Sequence, residues 1–268
     1  MKRFLTVLLI LLLFLLGIGL YGVLTQKSAV QTETKTETAP AETSEPTKEP
    51  MASSEPEPAE TEEPQTLDPS VFTDTESLLI VANKKHKLPD GYVPSDLVVP
   101  EIRQTQGCQM KAEAASMMKQ MADAAAQEGV TLSISSAYRG EEYQRQLYNN
   151  YSASYGTETA DTISSRPGYS DHQTGLAADF VEGDGSLNGI NFNQSFEDTQ
   201  SGVWLREHAH EYGFIMRYPK GKQEITGYAY EPWHFRYIGV DYATKIYETD
   251  VFESFEEYFG VEGGDYAE

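Results

Sequence analysis

The amino-acid sequence contains one cysteine and few basic residues. Cys108 alone cannot form an intrachain disulfide, and a metal cluster built from cysteines is excluded as well. Lysine and arginine number 20 against 42 aspartate and glutamate residues, which gives a formal net charge of −22 at pH 7. Because nucleic acids and anionic lipid surfaces attract basic proteins, we expect no nucleic-acid partner and no electrostatic binding to anionic lipid.

A long apolar run occurs only at the N-terminus. Residues 4–24 carry no charged side chain, and about 20 apolar residues are enough to cross a bilayer as a helix. Signal peptides have shorter apolar regions, roughly 7 to 15 residues, and usually end at a small-residue cleavage site. We therefore predict that residues 1–25 form an uncleaved transmembrane anchor, with a cleaved leader and a secreted protein as the alternative. Since Lys2 and Arg3 precede the run, the positive-inside rule places the remainder outside the cell.

Residues 26–70 are rich in Thr, Glu, Pro, Ala and Ser and contain almost nothing apolar. Such a segment cannot bury enough surface to offset the entropy cost of ordering it. We predict a disordered acidic linker, which charge repulsion and prolines keep extended. The remaining residues, 71–268, have the size of one domain.

Within residues 71–268, hydrophobic periodicity predicts a mixture of helices and short strands. Residues 111–129 place apolar side chains at helical spacing among strong helix formers and end on a glycine, which predicts a helix. Further helices are predicted at 141–151, 204–212 and 244–258, and strands at 130–135, 176–181, 214–217 and 233–238. Because these elements follow no steady βαβ rhythm, we predict an α+β fold, a single domain with a small antiparallel sheet flanked by helices.

Two short segments of this domain combine histidine with carboxylates. Ser170–Asp179 reads SDHQTGLAAD, and Glu231–His234 reads EPWH. Zinc is normally held by histidine nitrogen and carboxylate oxygen, with three protein ligands where the site is catalytic. His172, Asp179 and His234 supply this number and type of ligand. Any one of them alone is more often a surface or capping residue, so the prediction of one Zn²⁺ per chain depends on the set.

Glu231 is a fourth acidic group beside the predicted ligands. Zinc lowers the pKa of water toward about 7, and a nearby carboxylate can take that proton and pass it to a leaving amine. Pro232 argues against a regular helix here, which distinguishes this pattern from the helical His-Glu-x-x-His motif. We therefore expect Glu231 to lie on irregular backbone or at the edge of a strand.

Two other histidines compete for the role of ligand. His208 and His210 are two residues apart on a predicted helix, so their side chains project roughly 200° from each other. We expect that they do not share a metal.

At these motifs the chain resembles the VanY-type zinc D-alanyl-D-alanine carboxypeptidases, a family within the superfamily that includes vancomycin-resistance dipeptidases and hedgehog domains. The family pattern Ser-x-His-x-x-Gly-x-Ala-x-Asp matches Ser170–Asp179 at every fixed position, and Glu-x-Trp-His matches Glu231–His234. Upstream, Ser136–Arg139 followed by Gln144 is similar to the substrate-binding segment of the family. The family often has serine directly after this segment, where the chain has Gly140.

The resemblance implies a hedgehog-like or D,D-peptidase-like fold and roles for seven residues. Zinc would be bound by His172, Asp179 and His234, with Glu231 as general base and acid. Arg139, together with Gln144 and Ser170, would receive the terminal carboxylate of a peptidoglycan stem peptide. An arginine fork suits this role because it binds a carboxylate in a bidentate manner.

The predicted activity is removal of the C-terminal D-alanine from peptidoglycan stem peptides, by a domain on the outer side of the cell membrane. An L,D-carboxypeptidase or a peptidoglycan endopeptidase on the same scaffold is the nearest alternative. A non-catalytic, zinc-bearing binding module is an alternative of another class, because a shared fold does not imply shared catalysis. The predicted partners are the stem peptide and, through the N-terminal helix, the membrane. We expect a monomer.

Overall fold

The structure, a computed structural model, describes residues 67–105, 107–182, 192–249 and 254–266. The predicted anchor, residues 1–25, and most of the predicted linker, 26–66, lie outside these ranges. In the described part of the chain, no helix is both long and apolar enough to span a bilayer. The described residues belong to one compact unit, which contains the domain predicted for residues 71–268.

The described residues form a single α+β domain, as the sequence predicts. Its helices are α1 (Ala112–Gln127), α2 (Glu141–Tyr155), α3 (Thr157–Ile163), α4 (Gln200–His208), α5 (Gln223–Thr226), α6 (Val240–Glu248) and α7 (Phe255–Phe259). Its strands are β1 (Leu97–Val98), β2 (Arg103–Gln104), β3 (Met110–Lys111), β4 (Ser133–Ser136), β5 (Ala177–Val181), β6 (Phe214–Met216) and β7 (His234–Tyr237). Short 3-10 turns add Pro69–Phe72, Asp171–Thr174, Gln194–Asp198 and Ala209–Tyr212.

The main sheet has five strands in the order β2-β4-β5-β7-β6, and β1 pairs with β3 in a separate two-stranded sheet. Four strands of the main sheet pair antiparallel, as predicted, but β2 runs parallel to β4 at one edge. The prediction of a wholly antiparallel sheet is therefore wrong at this edge. The parallel pair is possible because the connection from β2 to β4 contains the long helix α1, which carries the chain back to the starting end.

Helix α1 packs one face against the core. Its buried side chains are Ala114, Ala115, Met118, Met121 and Ala125, at the three- and four-residue spacing of one helix face. The helix ends where the sequence predicts, because Gly129 takes a positive φ of 79° that other residues rarely adopt. The core beside α1 is completed by Ile134 of β4 and Phe180 of β5, both almost fully buried.

Three predicted helices differ in extent from the observed ones. The helix predicted at 204–212 is α4, which begins four residues earlier and ends at His208, followed by the 3-10 turn Ala209–Tyr212. Helix α2 continues four residues beyond the predicted end, to Tyr155, and stops at Gly156 with φ 84°. The predicted helix at 244–258 is instead two helices, α6 and α7. The break is explained by Ser254, whose side chain caps α7 in a reciprocal pair of hydrogen bonds with Glu257.

The folded domain begins before residue 71. Leu67, which the sequence assigns to the linker, packs with Val71 and Phe72 against a second apolar cluster that contains Phe255. The ring of Phe72 makes edge contacts with Phe255 and Phe259, at centroid distances of 6.3 and 5.7 Å. Leu67 is thus partly buried against the folded domain, although the sequence assigns it to the predicted linker.

Candidate active site

Strand register brings the two sequence motifs together. Strand β5 pairs antiparallel with β7, and Asp179 lies directly opposite His234 in this pair. His172 lies in the 3-10 turn Asp171–Thr174, and Gly175 ends that turn with φ 71°. A side chain at this glycine would be strained and would lie 3.0 Å from a leucine of β1. The turn therefore requires glycine in order to place His172 beside β5.

The donor atoms of His172, Asp179 and His234 all lie within 4.8 Å of one another. Nε2 of His172 is 3.2 Å from one carboxylate oxygen of Asp179, and Nδ1 of His234 is 3.0 Å from the other. All three residues are buried, with at most 4% of their surface exposed. Among the described residues, no other group of His, Cys, Asp or Glu forms such a cluster. Two imidazoles and a carboxylate are a donor set that suits a catalytic zinc.

The outer nitrogens of both imidazoles are held by hydrogen bonds. Nδ1 of His172 lies 2.7 Å from the carbonyl oxygen of Ala137, and Nε2 of His234 lies 3.2 Å from Oδ2 of Asp171. An outer nitrogen that donates to an oxygen leaves the inner nitrogen with its lone pair for a metal. The surroundings thus select the tautomers that metal binding needs, which supports the fit of this site to zinc.

The charges at this cluster keep Asp179 ionised. Although burial opposes it, the charges and hydrogen bonds of His172 and His234 hold the pKa of Asp179 well below its usual range. Burial lowers the pKa of His172. For His234, burial also acts to lower the pKa, but hydrogen bonds with Asp171 and Asp179 raise it to about 9. Asp179 is thus an anion that can balance the charge of a bound cation.

Asp171 connects the cluster to a buried network of charges. Its Oδ1 accepts a hydrogen bond from Arg236, and Nε of Arg217 lies 3.9 Å from the same oxygen. Arg217 donates two hydrogen bonds to Glu256 of α7, at 2.8 and 2.6 Å. Asn83 donates to the same carboxylate at 3.0 Å. All five residues are at most 2% exposed.

The role of Asp171 escapes prediction from the sequence. It directly precedes His172 in the chain but orients His234, which is 63 residues away. The sequence shows only that an acidic residue lies within the motif, and this does not indicate that Asp171 contacts His234.

Glu231 lies on irregular backbone just before β7, as predicted. Its carboxylate is 3.6 Å from Nδ1 of His234, and 19% of its side chain is exposed. Its backbone carbonyl accepts a hydrogen bond from the amide of His234 at 3.1 Å, in the tight turn that Pro232 helps to form. Burial raises the pKa of Glu231 to about 7. A carboxyl group with this pKa can both accept and donate a proton near neutral pH.

Arg139 lies at the edge of the same cluster. Its Nη1 is 3.9 Å from Asp179 and donates a hydrogen bond to Ser136 at 3.4 Å, and 22% of the side chain is exposed. Its Nε has no hydrogen-bond partner among the described residues. The backbone amide of Arg139 donates to the carbonyl of His172 at 3.2 Å, which ties the two segments together. The guanidinium therefore retains donors that can receive an anionic group.

A cleft surrounds these residues. One lobe is a cavity of about 610 Å³ whose lining includes His172, Asp179, Glu231 and Arg139. A second lobe of about 560 Å³ lies beside it, and both lobes share Arg139 together with Leu147 and Tyr151 of α2. Each lobe has the size of a typical small-ligand site.

The two remaining predicted substrate-binding residues lie deeper in the protein. Gln144 is fully buried, and its amide nitrogen donates to the Ser164 hydroxyl at 3.1 Å and to the Ser165 carbonyl at 2.8 Å. Ser170 is 1% exposed and begins the turn that holds His172. Neither is among the described residues that line the two lobes. Gln144 supports the corner between α2 and α3, and Ser170 supports the turn that holds His172. A contact of either residue with substrate stays a prediction.

The competing histidines lie apart from the cluster. His208 ends α4 and makes a hydrogen bond with Glu211 at 3.0 Å. His210 follows in the next 3-10 turn and stacks on the ring of Tyr247 at a centroid distance of 3.6 Å. Neither histidine belongs to the cluster of His172, Asp179 and His234, and the prediction that they do not share a metal stays a prediction.

The chain is similar in sequence to known carboxypeptidases. The pattern of the VanY family, described as D-alanyl-D-alanine carboxypeptidase, matches residues 107–240. A putative carboxypeptidase, YodJ of Bacillus subtilis, is 41% identical over 69% of this chain and 67% of its own length. A D-alanyl-D-alanine carboxypeptidase of Enterococcus faecalis is 32% identical over 69% of this chain and 66% of its own length.

Solved structures extend the similarity to the fold. The LdcB LD-carboxypeptidase has a TM-score of 0.63 and 39% identity, over 70% of this chain and 88% of that one. A VanY D,D-pentapeptidase from a VanB-type vancomycin-resistance cassette, solved as a Glu-to-Ala variant with Zn(II), has a TM-score of 0.56 and 31% identity. It covers 68% of this chain and 98% of that one. The chain therefore belongs to the VanY family of D-alanyl-D-alanine carboxypeptidases and is a metallopeptidase.

Proposed function

We propose that this protein is a zinc-dependent carboxypeptidase that removes the C-terminal D-alanine from peptidoglycan stem peptides. The observation that carries the proposal is the shared cavity, in which Arg139 and Glu231 lie beside the candidate ligands His172, Asp179 and His234. A D-alanyl-D-alanine carboxypeptidase requires these three elements together: a metal centre, a proton carrier and a site for the terminal carboxylate. We propose one Zn²⁺ per chain.

In the proposed reaction, Glu231 transfers the proton at a centre activated by zinc. A zinc ion supplies polarisation of a carbonyl group and lowers the pKa of water toward about 7. Glu231 takes a proton from the attacking water while the water oxygen bonds to the scissile carbonyl carbon. The same carboxyl group then gives this proton to the amine nitrogen as the carbon–nitrogen bond breaks, so that no proton is gained or lost. The products are a shortened peptide with a new carboxylate and free D-alanine.

Arg139 gives the reaction its direction, because a free terminal carboxylate distinguishes an exopeptidase substrate from an internal bond. A charged hydrogen bond of this kind contributes about 1.5–3 kcal/mol. We expect Arg139→Lys, which loses the bidentate fork, to lower kcat/KM roughly 10- to 100-fold. Steady-state kinetics on a D-Ala-D-Ala pentapeptide measures this loss.

An amidated pentapeptide is the control for this assignment. The wild-type enzyme should lose activity on the amide, whereas Arg139→Lys should discriminate less between acid and amide. If both forms of the enzyme discriminate equally, Arg139 does not bind the carboxylate.

An L,D-carboxypeptidase, which removes D-alanine from the tetrapeptide, is supported as a second candidate by the pattern of similarity. Solved L,D-carboxypeptidases named LdcB and DacB are 36–39% identical to this chain, whereas the VanY structures are 31–32% identical. Mass spectrometry of digested muropeptides separates the two. The D,D assignment predicts that pentapeptides are converted to tetrapeptides and that the tetrapeptides accumulate. Conversion of purified tetrapeptides to tripeptides would instead establish the L,D activity.

We further propose that the enzyme acts outside the cell, attached by a single N-terminal helix. Support comes from residues 4–24, which carry no charge, and from the bases Lys2 and Arg3 that precede them. The acidic linker would let the domain reach the cell wall.

A further inference from the structure

One face of helix α2 carries four large side chains at a spacing of four residues. Tyr143, Leu147, Tyr151 and Tyr155 follow one another along the helix, and side chains four apart are neighbours on a helix surface. Tyr143 and Tyr155 are 57% and 61% exposed. The rings of Tyr151 and Tyr155 stack at a centroid distance of 6.3 Å. We call these four residues the α2 stripe.

The α2 stripe is continuous with the active-site cleft. Tyr143 lines the second lobe, and Leu147 and Tyr151 line both lobes. Tyr155 lies one turn further along α2, outside the lining of both. With a rise of about 1.5 Å per residue, Tyr155 is roughly 18 Å along the helix axis from Tyr143. The stripe therefore leads from the proposed peptide site onto the outer surface.

Other large apolar side chains that line the cleft are also exposed. Ile163 of α3 and Phe192 are 44% and 43% exposed, and the Phe192 ring lies 5.6 Å from that of Trp233. Large apolar side chains that remain exposed in one place on a soluble protein mark binding surfaces. Here they line the same cleft as Leu147 and Tyr151.

The chain segment that carries the outer part of the α2 stripe has no charge of its own. Residues 146–157 read QLYNNYSASYGT and contain no charged side chain, in a chain that is 23% charged. At the start of α2, Arg145 forms ion pairs with Glu141 and Glu142, at 2.7 and 3.2 Å. Tyrosine beside asparagine and serine offers flat apolar faces together with hydroxyl and amide groups. This combination suits a neutral ligand that has both apolar faces and many hydroxyl groups.

We propose that the α2 stripe binds the glycan strand of peptidoglycan, with pyranose rings stacked on Tyr151 and Tyr155. The inference rests on the proposed function, since the stem peptide in the cleft is covalently attached to that strand. A five-residue peptide spans at most about 17 Å when extended. Starting from Gly140, next to Arg139, Tyr151 and Tyr155 lie roughly 17 and 22 Å along the helix axis. A peptide anchored at Arg139 that follows α2 therefore brings its glycan to this end of the stripe.

The test uses two substrates and an exposed tyrosine elsewhere as control. Turnover of a free pentapeptide is compared with turnover of the same stem peptide on intact glycan strands, for wild type, Tyr155→Ala, Tyr155→Phe and Tyr247→Ala. Tyr247 is 47% exposed and lies on α6. Loss of one stacking ring corresponds to about a fivefold effect. We expect Tyr155→Ala to lower the polymer-to-peptide ratio of kcat/KM by about this factor, whereas Tyr155→Phe and Tyr247→Ala preserve the ratio.

A binding measurement separates this inference from the proposed function. Glycan strands from which the stem peptides have been removed should bind the wild-type protein, and Tyr155→Ala should weaken this binding. Binding of such strands by a protein that hydrolyses no stem peptide would support the stripe and contradict the proposed activity. The inference is wrong if the wild-type protein fails to bind the peptide-free strands, or if Tyr155→Ala lowers turnover of both substrates equally.

Discussion

Replacement of Glu231 by glutamine lowers kcat by roughly 10²- to 10⁴-fold while zinc remains bound, if the carboxylate carries the proton. Glutamine keeps the shape of the side chain but cannot accept a proton from water. The candidate ligands His172, Asp179 and His234 are unchanged in this variant, and Glu231 is 3.6 Å from the nearest of their nitrogens. The metal should therefore be retained. Kinetics on a stem-peptide substrate and metal analysis of the same sample measure both properties.

His172→Ala is the matched control for this experiment. It removes one of the three donor groups, so zinc content and activity should fall together. The role of Glu231 would be contradicted by near-wild-type turnover of Glu231→Gln with full zinc occupancy. Loss of zinc from Glu231→Gln would show instead that this carboxylate is itself a ligand.

Replacement of Glu256 by alanine destabilises the domain by about 3–5 kcal/mol, because it leaves a buried arginine without its partner. Glu256 accepts two hydrogen bonds from Arg217, and both side chains are 1% exposed. For a domain of this size, such a loss corresponds to roughly 6–20 °C in Tm. Thermal unfolding followed by circular dichroism measures the change. Glu248→Ala, at an exposed position of α6, should have little effect.

A double variant tests the cause of this loss. Removing both charges, as in Arg217→Met with Glu256→Leu, should recover much of the stability, because no buried charge is then left unpaired. Equal destabilisation by the double and single variants would mean that the loss comes from packing. The result matters for the site, since Arg217 lies 3.9 Å from Asp171. Its partner Glu256 lies outside residues 107–240, which match the family pattern.

The composition of the candidate site is predictable from the sequence because zinc restricts its ligands to a few residue types. His172, Asp179 and His234 stand in two short motifs, and the structure brings all three together. The pairing of β5 with β7 achieves this, since it sets Asp179 against His234. Arg139 is brought to the same cavity. The predicted contact of Gln144 with substrate has no such support, because the Gln144 side chain is buried. Its burial depends on tertiary packing, which the spacing of residues in the sequence does not reveal.

The buried charges and the short helix α3 could not be predicted. Arg236 reads as a polar residue in a strand, and only the tertiary fold shows that it pairs with Asp171. Helix α3 follows Gly156 and is seven residues long, with Ala160 as its one buried residue. A segment this short has no apolar periodicity to indicate a helix. Likewise, the parallel pairing of the two-residue strand β2 with β4 depends on the crossover through α1.

The most direct test of the central claim is digestion of muropeptides by the purified protein before and after removal of zinc. The account predicts that each pentapeptide loses the mass of one alanine, that a chelator abolishes this loss, and that one equivalent of Zn²⁺ per chain restores it. Continued hydrolysis by the fully metal-free protein, or no loss of alanine from any stem peptide with zinc bound, would contradict it.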